Sequence, residues 1–406
     1  MKEAFRQAVV NRLLIYRELL HPVVTLSGSR PLVILQSDDW GLVGIEHKDS
    51  FDQIVKDCGL NQEYSHLNYY GQETADDLAA LYKVLSSHRD SAGNHPILEC
   101  NFILANVDFE HVVASGFERL PLKPIHEGPP WPWKRPGLLE AYREGIRQQY
   151  IYPALHGVTH FCYPAVKRII REHSGRGELL RNLLQIGTPQ AYQFSPWVGY
   201  EFRDPETGWL SFAAQANAVA QGAAMFRKTF ERSPLSACAP GYRANAATFR
   251  AWGKAGIKVV QNGPGLNVPP FIGRHRLLHL HRNVPFEPAI DPEYFTVERA
   301  FQAAQRSVET GQPIIVCTHS VNFHSTLRNF RDLTLERLDQ LLSRLENAFS
   351  DLLYIHDEDL WDIARQGRFS RNGKPVSIKL HRKAGCSPVL KQLLSQKSSW
   401  KKPNAG

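Results

Sequence analysis

The 406-residue chain lacks several features that would each define a class. Its six cysteines (Cys58, Cys100, Cys162, Cys238, Cys317 and Cys386) stand singly, with no Cys-x-x-Cys pair. That excludes a cysteine-ligated zinc site and a disulfide scaffold, and reduced thiols in a cytoplasmic setting are the simplest expectation. No stretch of about 18 apolar residues occurs, so no membrane-spanning helix is expected. There is no Gly-rich phosphate loop, and no internal repeat marks a solenoid. Acidic residues are missing altogether after Asp362, where eleven of the 48 Lys and Arg residues fall. The remaining 37 basic residues face 40 acidic ones, so the net charge of +8 belongs to the last segment rather than to the body. Such a basic tail can attract an anionic polymer or an anionic membrane surface, or simply stay solvated. With little aromatic interleaving beyond Phe369 and Trp400, it predicts no specific nucleic-acid partner.

What is present is a globular composition, 43% hydrophobic and 22% charged, with eight Trp, fourteen Tyr and seventeen His. Residues 2–20 repeat apolar side chains at helical spacing, interrupted by Arg6, Arg12, Arg17 and Glu18. This reads as an amphipathic helix packed on the main domain rather than a secretion signal, with peripheral membrane contact as the other reading. Short apolar runs at 31–36, 97–104, 151–155, 235–239, 257–260, 277–280, 313–317 and 352–355 read as buried parallel strands. Helical patterns at 74–87, 137–149, 210–232, 246–255, 297–309 and 333–349 fall between several of them. Strand and helix alternating in this way predict an α/β fold, an irregular (β/α) barrel with long insertions at about 42–73, 105–136 and 161–208. The expected division is an N-terminal helix within 1–29, the barrel over 30–365 and a basic tail over 366–406. The loop Gly128-Pro129-Pro130-Trp131-Pro132-Trp133 carries a Trp pair that could floor a sugar site or simply pack.

Four clusters carry chemistry, and three lie just past a predicted strand, where barrel enzymes gather their reactive groups. Asp38 and Asp39, in Leu35-Gln36-Ser37-Asp38-Asp39-Trp40-Gly41, diverge from one another in an extended segment, so one can ligate a cation while the other takes a proton. Alone, such a pair also serves as a turn or helix cap. His156 and His160 are four apart around a Gly that permits a tight turn, and two imidazoles can share one ion at about 2.0–2.1 Å. His319 ends the run Val316-Cys317-Thr318-His319 and could act as a general acid, with His324 a further neighbour. In Ala239-Pro240-Gly241-Tyr242-Arg243-Ala244-Asn245, backbone N–H groups around Tyr242 could stabilise an oxyanion, and Arg243 could keep a carboxylate ionised. A Pro-Gly turn capped by Asn245 is the plainer reading of that stretch.

Taken in order, these motifs resemble the polysaccharide deacetylase superfamily (carbohydrate esterase family four and its relatives) over about residues 30–365, excluding the insertions. The paired Asp with its Gly, the His-x-x-x-His, the Pro-Tyr element before a helix and the closing x-x-His correspond to Asp38–Gly41, His156–His160, Pro240-Gly241-Tyr242 and Cys317-Thr318-His319. The resemblance implies a metal-dependent hydrolase that deacetylates an N-acetylated sugar, polysaccharide or glycan precursor. It implies Asp38 as general base, Asp39, His156 and His160 as metal ligands, His319 as general acid and the Tyr242 N–H as oxyanion donor. The cation is expected to be divalent, zinc first, since Asp–His–His also tolerates cobalt, nickel and manganese; it would bring the pKa of a bound water from 15.7 toward about 7. Trp40 intrudes before Gly41, Ala239 stands where the family carries arginine, Cys317 replaces a leucine, and His279-Leu280-His281-Arg282-Asn283 occupies the place of the family's Asp-Trp element. These departures mark a divergent branch. Two other readings stand beside it: hydrolysis of another amide or a glycosidic bond on the same barrel, and a non-catalytic carbohydrate-binding protein.

Overall fold

The structure is a computed structural model that describes residues 22–57, 69–188, 196–265, 267–371 and 373–392. The expected helix at 2–20, Cys58, and the last residues of the basic segment lie outside the described residues.

The main sheet contains twelve strands, and its parallel part follows the expected runs closely. Side by side lie Val284–Pro285, Ile314–His319, Leu32–Trp40, Leu98–Phe102, Ile151–Leu155, Ser236–Cys238, Val259–Asn262 and Leu278–His281, all parallel. Leu353–Tyr354 pairs with the Leu32–Trp40 strand from outside this path. Every residue of the strands at 32–40, 98–102 and 151–155 is buried, which accounts for continuous apolar runs rather than alternation.

The helices fall where the 3.6-residue periodicity places them: Ala75–Ser87, Leu138–Arg147, Phe212–Phe230, Ala246–Ala255, Val297–Glu309 and Arg331–Ala348. Their starts are chemically specified. Thr74 and Asn245 each close a capping box, and Ser211 and Thr296 accept from the third residue of their helices, caps worth about 1 kcal/mol apiece. These helices cover one face of the sheet, where Val33, Leu35, Cys100, Val260 and Val316 meet Leu81, Phe226, Trp252 and Leu338. On the other face, inside the curl, Leu32, Ile34, Leu278, Leu280 and Ile315 pack against Leu360, Trp361 and Phe369.

The result is an irregular (β/α) barrel. Its closure uses one continuous stretch: residues 278–281 pair with 259–262, and two residues later 284–285 pair with 316–317. Asn283, at the changeover, bonds through its side chain to the Ile315 N–H (2.9 Å) and the Pro313 carbonyl (2.9 Å).

Two segments differ from the expected division. Within 1–29, Val23–Gly28 is a strand, and within the basic segment Arg368–Arg371 and Lys374–Ser377 form a hairpin. Leu380–Gly385 then pairs antiparallel with Val23–Gly28 over all six residues. The physical reason is that Val23 and Leu26 are both buried: these side chains need a sheet to cover them, and the basic strand pairs along its edge.

Candidate active site

The Leu32–Trp40 strand brings Asp38 into direct register with His319 of the neighbouring strand. One residue on, the pairing with Leu98–Phe102 slips, and Asp39 adopts a left-handed backbone with φ 71°. For a residue with a Cβ this conformation costs on the order of 1–3 kcal/mol, and it persists only where its surroundings fix it. Here they do. Tyr70 and Ser320 donate their hydroxyls to the Asp39 carbonyl (3.3 and 3.2 Å), and the buried Glu73 carboxylate accepts the Gly41 N–H (2.7 Å). Asn106 donates to the Gly41 carbonyl (2.8 Å) and accepts from the Val43 N–H (3.1 Å). The turn swings the Asp39 side chain away from that of Asp38 and toward the Ile151–Leu155 strand.

There the Asp39 carboxylate meets both histidines. Oδ1 lies 3.1 Å from His156 Nε2 and 3.2 Å from His160 Nε2. The intervening Gly157 has φ 105°, and a Cβ there would collide with the Glu201 carboxylate. Glu201, itself buried, accepts the Val158 N–H at 2.7 Å and the Thr159 N–H as well. Burial raises its pKa to about 7 against those two bonds.

Asp38 is surrounded by donors. Arg282 grips both oxygens, Nη1 on Oδ2 at 2.6 Å and Nη2 on Oδ1 at 2.7 Å. Asn101 donates to Oδ1 (2.7 Å) and the Tyr242 hydroxyl to Oδ2 (3.0 Å). Burial opposes the charge, but the Arg282 guanidinium outweighs it and holds the carboxyl far below the usual range. Behind this pair, Arg282 also donates to Gln36 Oε1 (3.0 Å) and Gln261 Oε1 (2.9 Å). Gln261 continues the network to Glu99 and Asp357, both at 2.8 Å. Burial and the nearby Asp357 push the Glu99 carboxyl upward.

His319 stands across from Asp38, its Nε2 3.9 Å from Oδ2. Its Nδ1 bonds to Glu287 Oε1 at 2.6 Å, and Glu287 is fixed in turn by Asn322 (2.6 Å). Burial works against protonation, yet Glu287 beside the ring raises the imidazole's pKa to about 10.

Three expectations need revision. The Tyr242 N–H donates to the Ala239 carbonyl (2.8 Å) in a tight turn where Tyr242 has φ 56°, so it is not free for an oxyanion. What Tyr242 brings to the centre is its hydroxyl, which also accepts from Arg282 (2.8 Å). Arg243 is exposed and lies 5.9 Å over the Tyr200 ring; the guanidinium that ionises a carboxylate is Arg282 instead. His324 sits behind the Asp39 turn, 3.4 Å from Glu73, not at the centre. Of the Trp pair, Trp133 is buried and donates to the Gly187 carbonyl (2.9 Å), while Trp131 is 57% exposed.

The Asp39, His156 and His160 donor atoms, all within 4.8 Å of one another, could hold a metal ion. The donor chemistry fits. His156 Nδ1 faces the Cys238 carbonyl at 3.0 Å and so carries the proton there, which leaves Nε2 as a lone pair aimed at a carboxylate oxygen. Lone pair facing anion is repulsive unless a cation or a second proton lies between. Burial resists protonation, but Asp38 and Asp39 together pull the His156 pKa upward, as expected of a pocket that wants positive charge. The other possible set, Asp38–His156–Cys238, is the poorer one. Arg282 already neutralises Asp38, and burial keeps the Cys238 thiol protonated.

No protein-family model matches the sequence, and none of the curated proteins does. Solved structures do match in shape. A protein of Parabacteroides distasonis, provisionally assigned as a glycoside hydrolase/deacetylase, is 9% identical with a TM-score of 0.48, covering 84% of this chain and 73% of that one. A provisionally assigned polysaccharide deacetylase of Mycobacterium smegmatis is 10% identical with a TM-score of 0.43, covering 85% and 95%. A pseudoenzyme of carbohydrate esterase family four from Bacillus anthracis is 9% identical with a TM-score of 0.37, covering 82% and 66%. At such identities and scores the likeness says nothing of its chemistry.

Among the described residues, no helix is long and apolar enough to cross a membrane.

Proposed function

We propose that the chain is a metal-dependent hydrolase that removes an acetyl group from the nitrogen of an amino sugar, free or within a glycan. The reading is carried by one observation: two imidazole nitrogens converge on a single oxygen of Asp39 (3.1 and 3.2 Å), beside a separate, guanidinium-bound carboxylate. Asp39, His156 and His160 would hold the cation, with zinc the first expectation for such a donor set. When bound, a divalent ion there would acidify a water and polarise the acyl carbonyl.

The residues divide the proton work. Asp38, ionised by Arg282, accepts the proton of the attacking water. Its four donors make it a weak base, which is adequate only for a water that is itself acidified; this favours a cation in the neighbouring triad. As the C–N bond breaks, His319 delivers its Nε2 proton to the departing nitrogen. Glu287 on Nδ1 keeps the ring charged and turned so that Nε2 faces Asp38. The Tyr242 hydroxyl, kept neutral by burial, orients Asp38 from the side opposite Asn101.

The test is joint. Asp39→Ala and His160→Ala are expected to lose bound metal and acetate release together, measured by elemental analysis and by assay on N-acetylated oligosaccharides. Full turnover in either variant, or a chain that binds no divalent metal, ends the reading. Turnover of other amides without release of acetate from sugars would transfer the mechanism to a different substrate.

A further inference from the structure

On the outer flank of the barrel changeover lies a cleft of about 610 Å³, lined in part by Arg282 but otherwise by residues that the mechanism above does not use. Its walls include Arg299, Gln302 and Arg306 of the Val297–Glu309 helix, Tyr294 from the preceding turn, and Asn267 and Asn283 opposite. Among the described residues, no acidic side chain lines it. Arg299 and Arg306 are seven residues apart, two helical turns, and so share one face. Both are exposed, and neither makes an ion pair among the described residues; the adjacent Glu298 is engaged by Arg344 instead. Since the chain up to Asp362 is close to neutral, an acid-free cleft with unpaired arginines is a local feature, not a reflection of overall charge.

Tyr294 is 53% exposed and firmly held. Asp291 caps its turn through the Glu293 and Tyr294 N–H groups (3.1 and 2.9 Å), and Arg337 donates to the Pro292 and Phe295 carbonyls (2.6 and 3.3 Å). The Arg299 guanidinium lies 4.3 Å over its ring. A rigid aromatic face, flanked by guanidinium forks and amides, matches a ligand with both an apolar ring face and a negative group. The cleft also adjoins the catalytic end. Asn283 follows Arg282, which grips Asp38, and Gly263, just ahead of the cleft wall at Pro264 and Gly265, packs on the Tyr242 ring.

We propose that this cleft binds an acidic sugar unit, one carrying a carboxylate or an ester sulfate or phosphate, so that the carbohydrate acted upon is an anionic one. The choice of a carbohydrate rests on the deacetylase reading; the affinity for an acidic sugar is measurable without it. The full chain would be titrated calorimetrically with a galacturonic acid trimer and with its fully methyl-esterified, uncharged form. The acid trimer is expected to bind, and the ester roughly tenfold or more weaker. Binding should weaken as salt is raised. The double variant R299E/R306E should lose binding of the acid form by a similar factor while melting like the parent, because both side chains are exposed. Tyr294→Ala should weaken both forms. Asp39→Asn should leave the titration unchanged, since the cleft lies outside the cation pocket. Equal affinity for acid and ester, no binding of the acid trimer, or full binding by R299E/R306E would overturn the proposal. Binding of the acid trimer by a chain that deacetylates nothing would instead reject the catalytic reading and keep the cleft. Deacetylation of neutral sugars by a chain blind to the acid trimer would do the reverse.

Discussion

Arg282 and Asp38 form the fully buried ion pair on which the centre's charge balance depends. Removing one partner leaves the other charge stranded, typically at about 3–5 kcal/mol. Arg282→Met is therefore expected to lower the melting temperature markedly and to abolish turnover, read by calorimetry and by acetate release. A parent-like melting curve would mean that Asp38 finds another cation. His319 supplies a pH-dependent counterpart. Its folded-state pKa of about 10 lies above the ordinary histidine value, so the stability contributed by the His319–Glu287 pair is complete at acid to neutral pH and is lost as pH rises toward 10. The protonated ring is also the proposed acid, so the alkaline limb of activity should lie near pH 10. Glu287→Gln should shift that limb toward neutrality, with the His319 ring titration followed by NMR moving in parallel. An unmoved limb would remove His319 from the proton path.

At the scale of elements, the turns that carry Asp39, His156 and His160 are fixed from outside the barrel strands. Glu73, ahead of the Ala75–Ser87 helix, holds Gly41, and Glu201, in the long insertion after His160, holds Val158 and Thr159. Groups that orient metal ligands are commonly worth roughly 10–100-fold in metal affinity. Glu201→Ala should weaken zinc binding by that order in competition with a chelator while the fold's secondary structure persists; unchanged affinity would reduce Glu201 to a packing role. These elements also show what could be read from the chain alone. The strands at 32–40, 151–155 and 314–319 were legible because burial on both faces enforces continuous apolar runs, and their ends located Asp38, His156 and His319. The start of the 246–255 helix was legible from Asn245. Glu73, Glu201, Glu287 and Arg282 carry no local signal, since each acts on a partner at least 32 residues away. Arg282 alone had a positional clue, falling just past a strand, yet the closer Arg243 took its role in the reading. The left-handed Asp39 was invisible because its conformation is imposed by Tyr70, Ser320 and Glu73, not by its own preference.

Across the whole molecule, the basic segment is partly architecture. Leu380–Gly385 covers the Val23–Gly28 strand, and the Arg368–Arg371 strand sits against the Asp357–Gln366 helix, where Arg371 meets Asp359. A chain ended after Ile378 should expose Val23 and Leu26, melt several degrees lower and lose amide protection along 23–28 in hydrogen exchange. An unchanged protection pattern would show that this edge holds without its partner.

The single stretch 278–285 belongs to both rims of the barrel, paired with 259–262 before its midpoint and with 316–317 after it. Arg282 and Asn283 sit where it passes from one rim to the other. Because Arg282 carries the guanidinium that grips Asp38, a change in how this stretch pairs with either neighbour also changes where that guanidinium stands. The pairing that joins the two edges of the parallel sheet and the charge held on Asp38 thus meet in one short stretch of chain.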